Sequence, residues 1–297
     1  MKINIEKIKQ NKSIKELLEF GIINMDKSSG PTSFNVSEFV KKQLEARKTS
    51  HFGTLDPKVT GVLPVAINRA CKLAGYFLGE DKTYVGIMQM HKEIELEKIK
   101  EAINEKFLGE IIQLPPVKSR VKRQERPRTI YEFDLLEKDG KNILFKVKCQ
   151  GGTYIRKLCT DLGDYLKVGA HMLELRRTNA GIFFEDDENY PIVSLYDFEK
   201  AIKEYKNGNE KLLRKMIIPG EIITELYPSI EIKKKAVKAI FHGSPIHDDE
   251  VQDKKFLDYK IEDRIIAFSE GTFIGIFKVI KEGNLFARSE FTLQPLD

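Results

Sequence analysis

The stretch HFGTLDPKVTGVLP, His51 to Pro64, governs how the rest of the chain is read. It gathers two glycines, two prolines and two threonines around one carboxylate, Asp56. Pro57 fixes its own φ and restricts Asp56 to extended geometry. Leu55, Val59, Val62 and Leu63 are placed to wall the loop off from water. The expectation is a rigid, partly dry carboxylate, which nucleophilic or acid–base chemistry requires. The competing reading of the same residues is an Asx turn, with Asp56 bonding its own backbone.

Two further segments carry chemistry-bearing residues. In CQGGTYIRKLCTDLG, Cys149 to Gly163, a Gly-Gly pair ends a strand and lets the chain turn sharply. Tyr154 and Arg156 follow at the start of a helix; a guanidinium beside a buried carboxylate would keep it ionised and oriented. Taken alone, an arginine in this position is more often a surface or helix-end residue. In DKTYVG, Asp81 to Gly86, Tyr84 sits in an alternating stretch with Val85 and Ile87. Such a tyrosine packs in a core with its hydroxyl satisfied, or stacks on a nucleic-acid base.

Around these segments the periodicities change element by element. Residues 1–20 form a charged extension with a short helix near Ile14–Leu18. Thr32 or Ser33 caps a helix whose apolar face carries Val36, Phe39, Val40 and Leu44, repeating at i, i+4 and i+8. A second helix over about Ile94–Leu108 places Ile99, Ile103 and Phe107 on one face. NILFKVKC, ending at Cys149, alternates Phe145, Val147 and Cys149 against Lys146 and Lys148, a half-buried strand. The helix after the Gly-Gly turn points Ile155, Leu158, Leu162 and Tyr165 inward. Strands and helices interleave without regular βαβ spacing, which predicts an α+β domain around a mixed or antiparallel sheet. Pro219, Gly220 and Pro228 mark a reset. Short β-rich runs after it predict a small all-β module of about 75 residues, by turn spacing.

Composition bounds the partners. With 41% hydrophobic and 32% charged residues, the chain reads as globular rather than disordered. No apolar run approaches the roughly 20 residues that cross a bilayer, and the N-terminus lacks a signal-peptide core. The expectation is a cytoplasmic protein with no membrane partner. Cys71, Cys149 and Cys159 fit no zinc spacing and are read as free thiols, with no metal site. The net charge of +5 is unevenly placed. KSRVKRQERPR, Lys118 to Arg128, holds six basic residues against Glu125, a local +5. Residues 221–297 hold 11 basic and 14 acidic residues, a local −3. A dense basic segment suggests phosphate contact; the plain alternative is a solvated charged loop.

Taken together these segments resemble TruB-type pseudouridine synthases. HFGTLDPKVTGVLP resembles the family signature, DKSSGPTS (Asp26–Ser33) its first motif and GTYIR its third. LPPVKSRVKR (Leu114–Arg123) resembles the basic Pro-Pro element, and GAHMLELRRTNAG (Gly169–Gly181) the segment closing the site. The five occur in family order, and GTLDPKVTGVLP, MQMH and GAHMLELRR resemble the archaeal, dyskerin-related branch. The resemblance implies that Asp56 is the catalytic carboxylate, Arg156 its ion-pair partner, and Tyr84 the aromatic on the flipped uracil. It implies that Tyr154 lies beside the pair and Leu175 walls the pocket. Lys27 and His51 would support the loop or touch RNA. Lys118, Arg120, Lys122 and Arg123 are expected at phosphates.

The C-terminal segments YPSIEIKKKAVKAIFHGSP and IIAFSEGTFIGIFKV resemble a small β-barrel-like PUA domain, with Lys233, Lys234, Lys235 and Gly243 as RNA-binding candidates. The pattern departs from that family at SPIHDDEV and at Glu262-Asp263. The expected division is an N-terminal extension at 1–20 packing on the PUA domain, a catalytic domain at 21–218 and the PUA domain at 219–297. The implied reaction is isomerisation of uridine in RNA, which moves no hydride and so calls for no cofactor. Three readings stand: the catalytic subunit of an H/ACA ribonucleoprotein acting on rRNA and on tRNA position 55, a stand-alone tRNA enzyme, and a non-catalytic RNA scaffold. The branch-specific motifs favour the first, whose partners are guide RNA, rRNA, tRNA and the H/ACA core proteins.

Overall fold

The computed structural model describes residues 3–115, 122–252 and 258–295. The chain divides into two compact units. The larger comprises residues 22–67 and 74–216; the smaller comprises residues 1–21, 68–73 and 217–297.

The larger unit is built on a mixed sheet. Its strands are β1 (Phe20–Lys27), β2 (Thr49–His51), β3 (Thr60–Asn68), β4 (Lys82–Met90), β5 (Gly109–Gln113), β6 (Arg126–Asp139), β7 (Asn142–Cys149), β8 (Ala170–Ala180), β9 (Phe183–Phe184) and β10 (Val193–Ser194). The main path runs β10-β1-β3-β8-β4-β7-β6-β5, with β2 paired to β3 and β9 to β8. β1 with β10 and β3 with β8 are parallel; β4 is antiparallel to both β7 and β8. The alternation in β7 buries Ile143, Phe145, Val147 and Cys149, because side chains on a strand point to opposite faces in turn. β4 repeats the pattern with Tyr84, Gly86, Met88 and Met90.

Helices finish the layer. Ser33–Leu44 starts at Thr32, whose hydroxyl accepts from the Asn35 N–H while the Asn35 side chain answers the Thr32 N–H. Ile155–Tyr165 buries Ile155, Leu158, Cys159 and Leu162. Tyr165, expected inward, is exposed and donates to Glu105 at 2.9 Å. The phenol keeps its hydroxyl in water while its ring meets Phe107 edge-on. The helix expected over 94–108 is α-helical only over Leu96–Ala102 and widens to a π-turn over Ile103–Phe107, still burying Ile99, Ile103 and Phe107.

The smaller unit holds a second sheet of β12 (Ser229–Glu231), β14 (Arg264–Ser269), β15 (Thr272–Glu282), β16 (Leu285–Thr292) and β13 (Ile246–His247), in that order; Ile217–Pro219 is β11. It is not all-β as expected: helix Lys234–Phe241 buries Ala236 and Ile240 in its core. Two helices, Ile5–Asn11 and Ile14–Glu19, replace the single one expected in residues 1–20. Phe20 packs on Phe273 and Phe291 with ring centres 5.2 and 5.9 Å away, and Lys12 pairs with the buried Glu221. No helix among the described residues is long and apolar enough to cross a membrane.

Candidate active site

The loop that carries Asp56 is held from beneath. The Lys27 ammonium, with no exposed surface, donates to the carbonyls of Ser28, Pro57 and Val59 at 3.0, 2.9 and 2.8 Å. Ser33, also fully buried, accepts from the Leu55 N–H at 2.8 Å and donates to the Leu55 carbonyl at 3.0 Å. The Gly30 N–H adds a bond to the Pro57 carbonyl at 2.9 Å. The chain on both sides of Asp56 is therefore fixed by side chains from β1 and the helix after it. Burial holds the Lys27 ammonium below its usual range, against the opposing pull of Asp56. That ammonium lies inside the fold and ties the loop together.

Asp56 itself stands clear of this scaffold. Leu55, Val59, Val62 and Leu63 are buried, yet the Asp56 side chain is 50% exposed. The partly dry carboxylate expected from the sequence is an open one. The Val59 N–H bonds the Asp56 backbone carbonyl at 3.0 Å, so the turn is closed by main chain and the carboxylate is left for other work. That carboxylate accepts from Arg156, whose side chain is 58% exposed. The pair joins residues 100 positions apart.

Arg156 is aimed by the start of its helix. Tyr154 is the residue before the first turn, and its own side chain is half-buried. Its backbone is gripped by Gln113: the Gln113 side-chain oxygen accepts from the Tyr154 N–H at 3.0 Å, and the side-chain nitrogen donates to the Tyr154 carbonyl at 3.2 Å. Gln113 is buried at the end of β5, immediately before the basic segment, and sequence reading missed it. Gly152 takes φ +86° in the preceding turn, a conformation that favours glycine.

On the sheet, Tyr84 of β4 lies opposite Arg177 of β8, and Gly86 opposite Leu175. Paired and alternate residues share a face, so Tyr84, Leu175 and Arg177 line one side. A Cβ on Gly86 would meet a Leu175 methyl at 2.7 Å, so the glycine makes room for that side chain. Tyr84 and Leu175 are both buried. Burial pushes the Tyr84 phenol up, while the Arg177 guanidinium acts in the other direction. His51 is half-buried, its Nε2 3.2 Å from the Thr54 hydroxyl; burial first and Arg177 second hold its imidazole down.

The remaining candidates are spread more widely. Lys122 and Arg123 are exposed, while Lys118 and Arg120 lie outside the described residues. In the smaller unit Lys233, Lys234, Lys235 and Gly243 are exposed, but acidic residues already supply acceptors to the three lysines. Lys234 pairs with Glu270 at 2.9 Å, Lys235 with Asp249 at 3.8 Å, and Lys233 donates to the Asp249 carbonyl at 2.5 Å.

Comparison with known proteins bears on this arrangement. The chain matches the TruB family pseudouridylate synthase N-terminal domain over residues 41–155 and the tRNA pseudouridylate synthase B C-terminal domain over residues 156–224. It is 44% identical over 236 residues to the probable tRNA pseudouridine synthase B of Methanothermobacter thermautotrophicus, covering 79% of this chain and 71% of that protein. The namesake from Methanocaldococcus jannaschii is 46% identical over 238 residues, covering 80% and 69%. Among solved structures, the chain resembles one in a Cbf5-Nop10-Gar1 complex, with TM-score 0.85, 36% identity, and coverage of 97% of this chain and 89% of that one. A chain of an H/ACA RNP bound to a substrate RNA containing 2′-deoxyuridine gives TM-score 0.84 at 34% identity, covering 97% and 89%.

The class is thus that of RNA-modifying isomerases which turn uridine into pseudouridine. Within it, the chain belongs to the TruB family of pseudouridine synthases.

Proposed function

We propose that this enzyme is the catalytic subunit of an H/ACA ribonucleoprotein, isomerising guide-selected uridines in rRNA and uridine 55 in the tRNA T-loop. The observation that carries the reading is the likeness, over 97% of the chain, to a chain solved within an H/ACA RNP on substrate RNA. A stand-alone tRNA enzyme is the second reading, favoured by the tRNA synthase names of its relatives.

In the chemistry we infer, the target base first leaves its stack, at a cost of a few kcal/mol. Asp56 promotes cleavage of the C1′–N1 bond while Arg156 orients its carboxylate. Tyr84 and Leu175 hold the freed uracil as it turns to present C5, and Tyr84 takes the C5 proton once the new bond has formed. Tyr154 and His51 keep the walls of the site in place. Residues 21–218 would form the catalytic domain. Residues 219–297, with the extension at 1–20, would form a PUA domain that binds an RNA end through Gly243 and the lysines at 233–235. The inter-strand pairing of β14, β15 and β16 around a buried core supports a separate module there.

The test is an isomerisation assay on rRNA fragments and on tRNA, each with and without guide RNA and the core proteins, for wild type and Asp56→Asn. The expected result is rRNA turnover only with guide and core proteins. Asp56→Asn should abolish turnover with RNA affinity kept, since phosphate contacts supply most of that affinity. Turnover above about a hundredth of wild type in Asp56→Asn would remove Asp56 as the catalytic group, because such groups are worth roughly a hundredfold or more.

A further inference from the structure

Arg177 is the largest fully buried side chain among the described residues, 1% exposed, and it pairs with no carboxylate there. An uncompensated cation in a protein interior is costly, so its donors must be well used. Two of them serve the main chain: Nε donates to the Val62 carbonyl at 2.8 Å and a terminal nitrogen to the Gly53 carbonyl at 3.0 Å. These bonds tie β8 to both ends of the loop that holds Asp56. Across the β4–β8 pairing Arg177 stands opposite Tyr84, both of them buried.

The field of this cation is felt by its neighbours. It depresses His51 and Lys82 and opposes the upward push of burial on Tyr84. A loop clamp alone would need two hydrogen bonds to carbonyls, not an unneutralised charge directed at a phenol.

We propose that Arg177 is a positioning residue for the proton transfers at the uracil, holding the Tyr84 hydroxyl as an acceptor and stabilising the phenolate through which Tyr84 passes. This rests on the reading that Tyr84 faces the flipped base and that Asp56 opens the reaction. As the C1′–N1 bond breaks, its electron pair stays on N1, and the Tyr84 O–H proton is delivered there. The resulting phenolate sits against the guanidinium. C1′, left electron-deficient beside the Asp56 carboxylate, is bonded by the C5=C6 electron pair of the turned base; the phenolate then takes the C5 proton and the C5–H pair restores the C5=C6 double bond. Tyr84 ends as a phenol, the base has gained a proton at N1 and lost one at C5, and no outside acid or base is consumed.

The experiment is single-turnover isomerisation on RNA carrying ordinary or C5-deuterated target uridine, at saturating enzyme. The variants are R177M, R177K, Y84F, Y84F/R177M and D56N, with RNA affinity and thermal unfolding measured in parallel. R177M should lose turnover on the order of a hundredfold, the size of an acid–base contribution, at unchanged RNA affinity. Its C5 deuterium effect should rise above the wild-type value, and R177K should recover part of both. In the Y84F background R177M should cost far less than in the wild type, because the partner through which Arg177 acts is gone and only its two bonds to the Asp56 loop remain to be lost. If R177M does not fold, R177K takes its place in the cycle against Y84F. Turnover within about threefold of wild type, a loss that multiplies in full onto that of Y84F, or an unchanged deuterium effect would overturn the proposal, since independent sites are additive in free energy. An active Y84F or D56N would instead bring down the reading of the site beneath it, a separate outcome.

Discussion

At the residue scale, the Asp56–Arg156 pair works in solvent, and that changes what it is worth. Both side chains are more than half open or close to it, 50% and 58%. Exposed ion pairs contribute about 0–1 kcal/mol to stability, far from the several kcal/mol of a buried pair. Arg156→Ala should therefore leave the unfolding free energy within about 1 kcal/mol of wild type while severely reducing turnover. Denaturant titration beside a single-turnover assay checks this; a large loss of stability would show the pair to be architectural. Lys82 makes the opposite case. It is buried, and its ammonium donates to the carbonyls of Phe77, Leu78 and Glu80. Burial, with Arg177 nearby, pulls it down to about 8 from 10.5. Between those values the unfolded chain carries the extra proton, so stability rises with pH across that window. Relative to Lys82→Met, the wild type should gain about 3 kcal/mol between these limits, read from denaturant curves at pH 8 and 10.5. A flat difference would mean that Lys82 stays charged in the fold. Asp56, Tyr84, Arg156 and Leu175 were nameable through motif resemblance. Arg177 was not, because two adjacent arginines read as surface charge. Only strand alternation, which puts Arg177 on the same side as Leu175, tells that one of the two turns inward.

At the element scale, what was legible in the sequence is what local periodicity encodes. The half-buried strand ending at Cys149 and the Thr32-capped helix are written in residues two to four positions apart. The Ile103–Phe107 π-turn and the outward Tyr165 are not, since both depend on a neighbouring element, the ring of Tyr165 meeting Phe107. Nor is the grip of Gln113 on Tyr154, whose partners are 41 residues apart. That grip joins β5 to the helix bearing Arg156, like an added rung of backbone pairing. Gln113→Met keeps the length and apolar stem but leaves the Tyr154 N–H without its partner, a cost of about 1–3 kcal/mol if that group stays out of water, while the Tyr154 carbonyl keeps only the Leu158 N–H. Stability should drop accordingly. The turnover rate at saturating RNA should fall by about tenfold or more, because a catalytic group displaced by 1 Å loses much of its effect. RNA affinity should stay unchanged. A variant that unfolds earlier yet turns over normally when folded would confine Gln113 to the architecture.

At the scale of the whole molecule, positive charge is concentrated in one short stretch of sequence, not in the C-terminal module. Residues 118–128 carry +5, equal to the net charge of the entire chain, whereas residues 221–297 carry −3. Within the smaller unit, carboxylates already pair with Lys234 and Lys235, so any phosphate must first displace them. Lys122 and Arg123, by contrast, are exposed. If Lys118, Arg120, Lys122 and Arg123 neutralise phosphates, replacing all four by Ala should weaken binding alike for every RNA sequence. Each lost contact should also flatten the log–log dependence of affinity on salt by about 0.7–0.9, through the counterions no longer released. A solvated loop would leave affinity and slope as they were. The Lys233, Lys234 and Lys235 triple Ala variant should flatten the slope less, because freeing a lysine from its carboxylate offsets part of the gain at the phosphate. RNA titrations of both variants at several salt concentrations, with thermal unfolding as the control for folding, decide between these outcomes. An unaltered slope in a folded quadruple variant would move the RNA-binding face away from this segment, and with it the route by which substrate reaches Asp56.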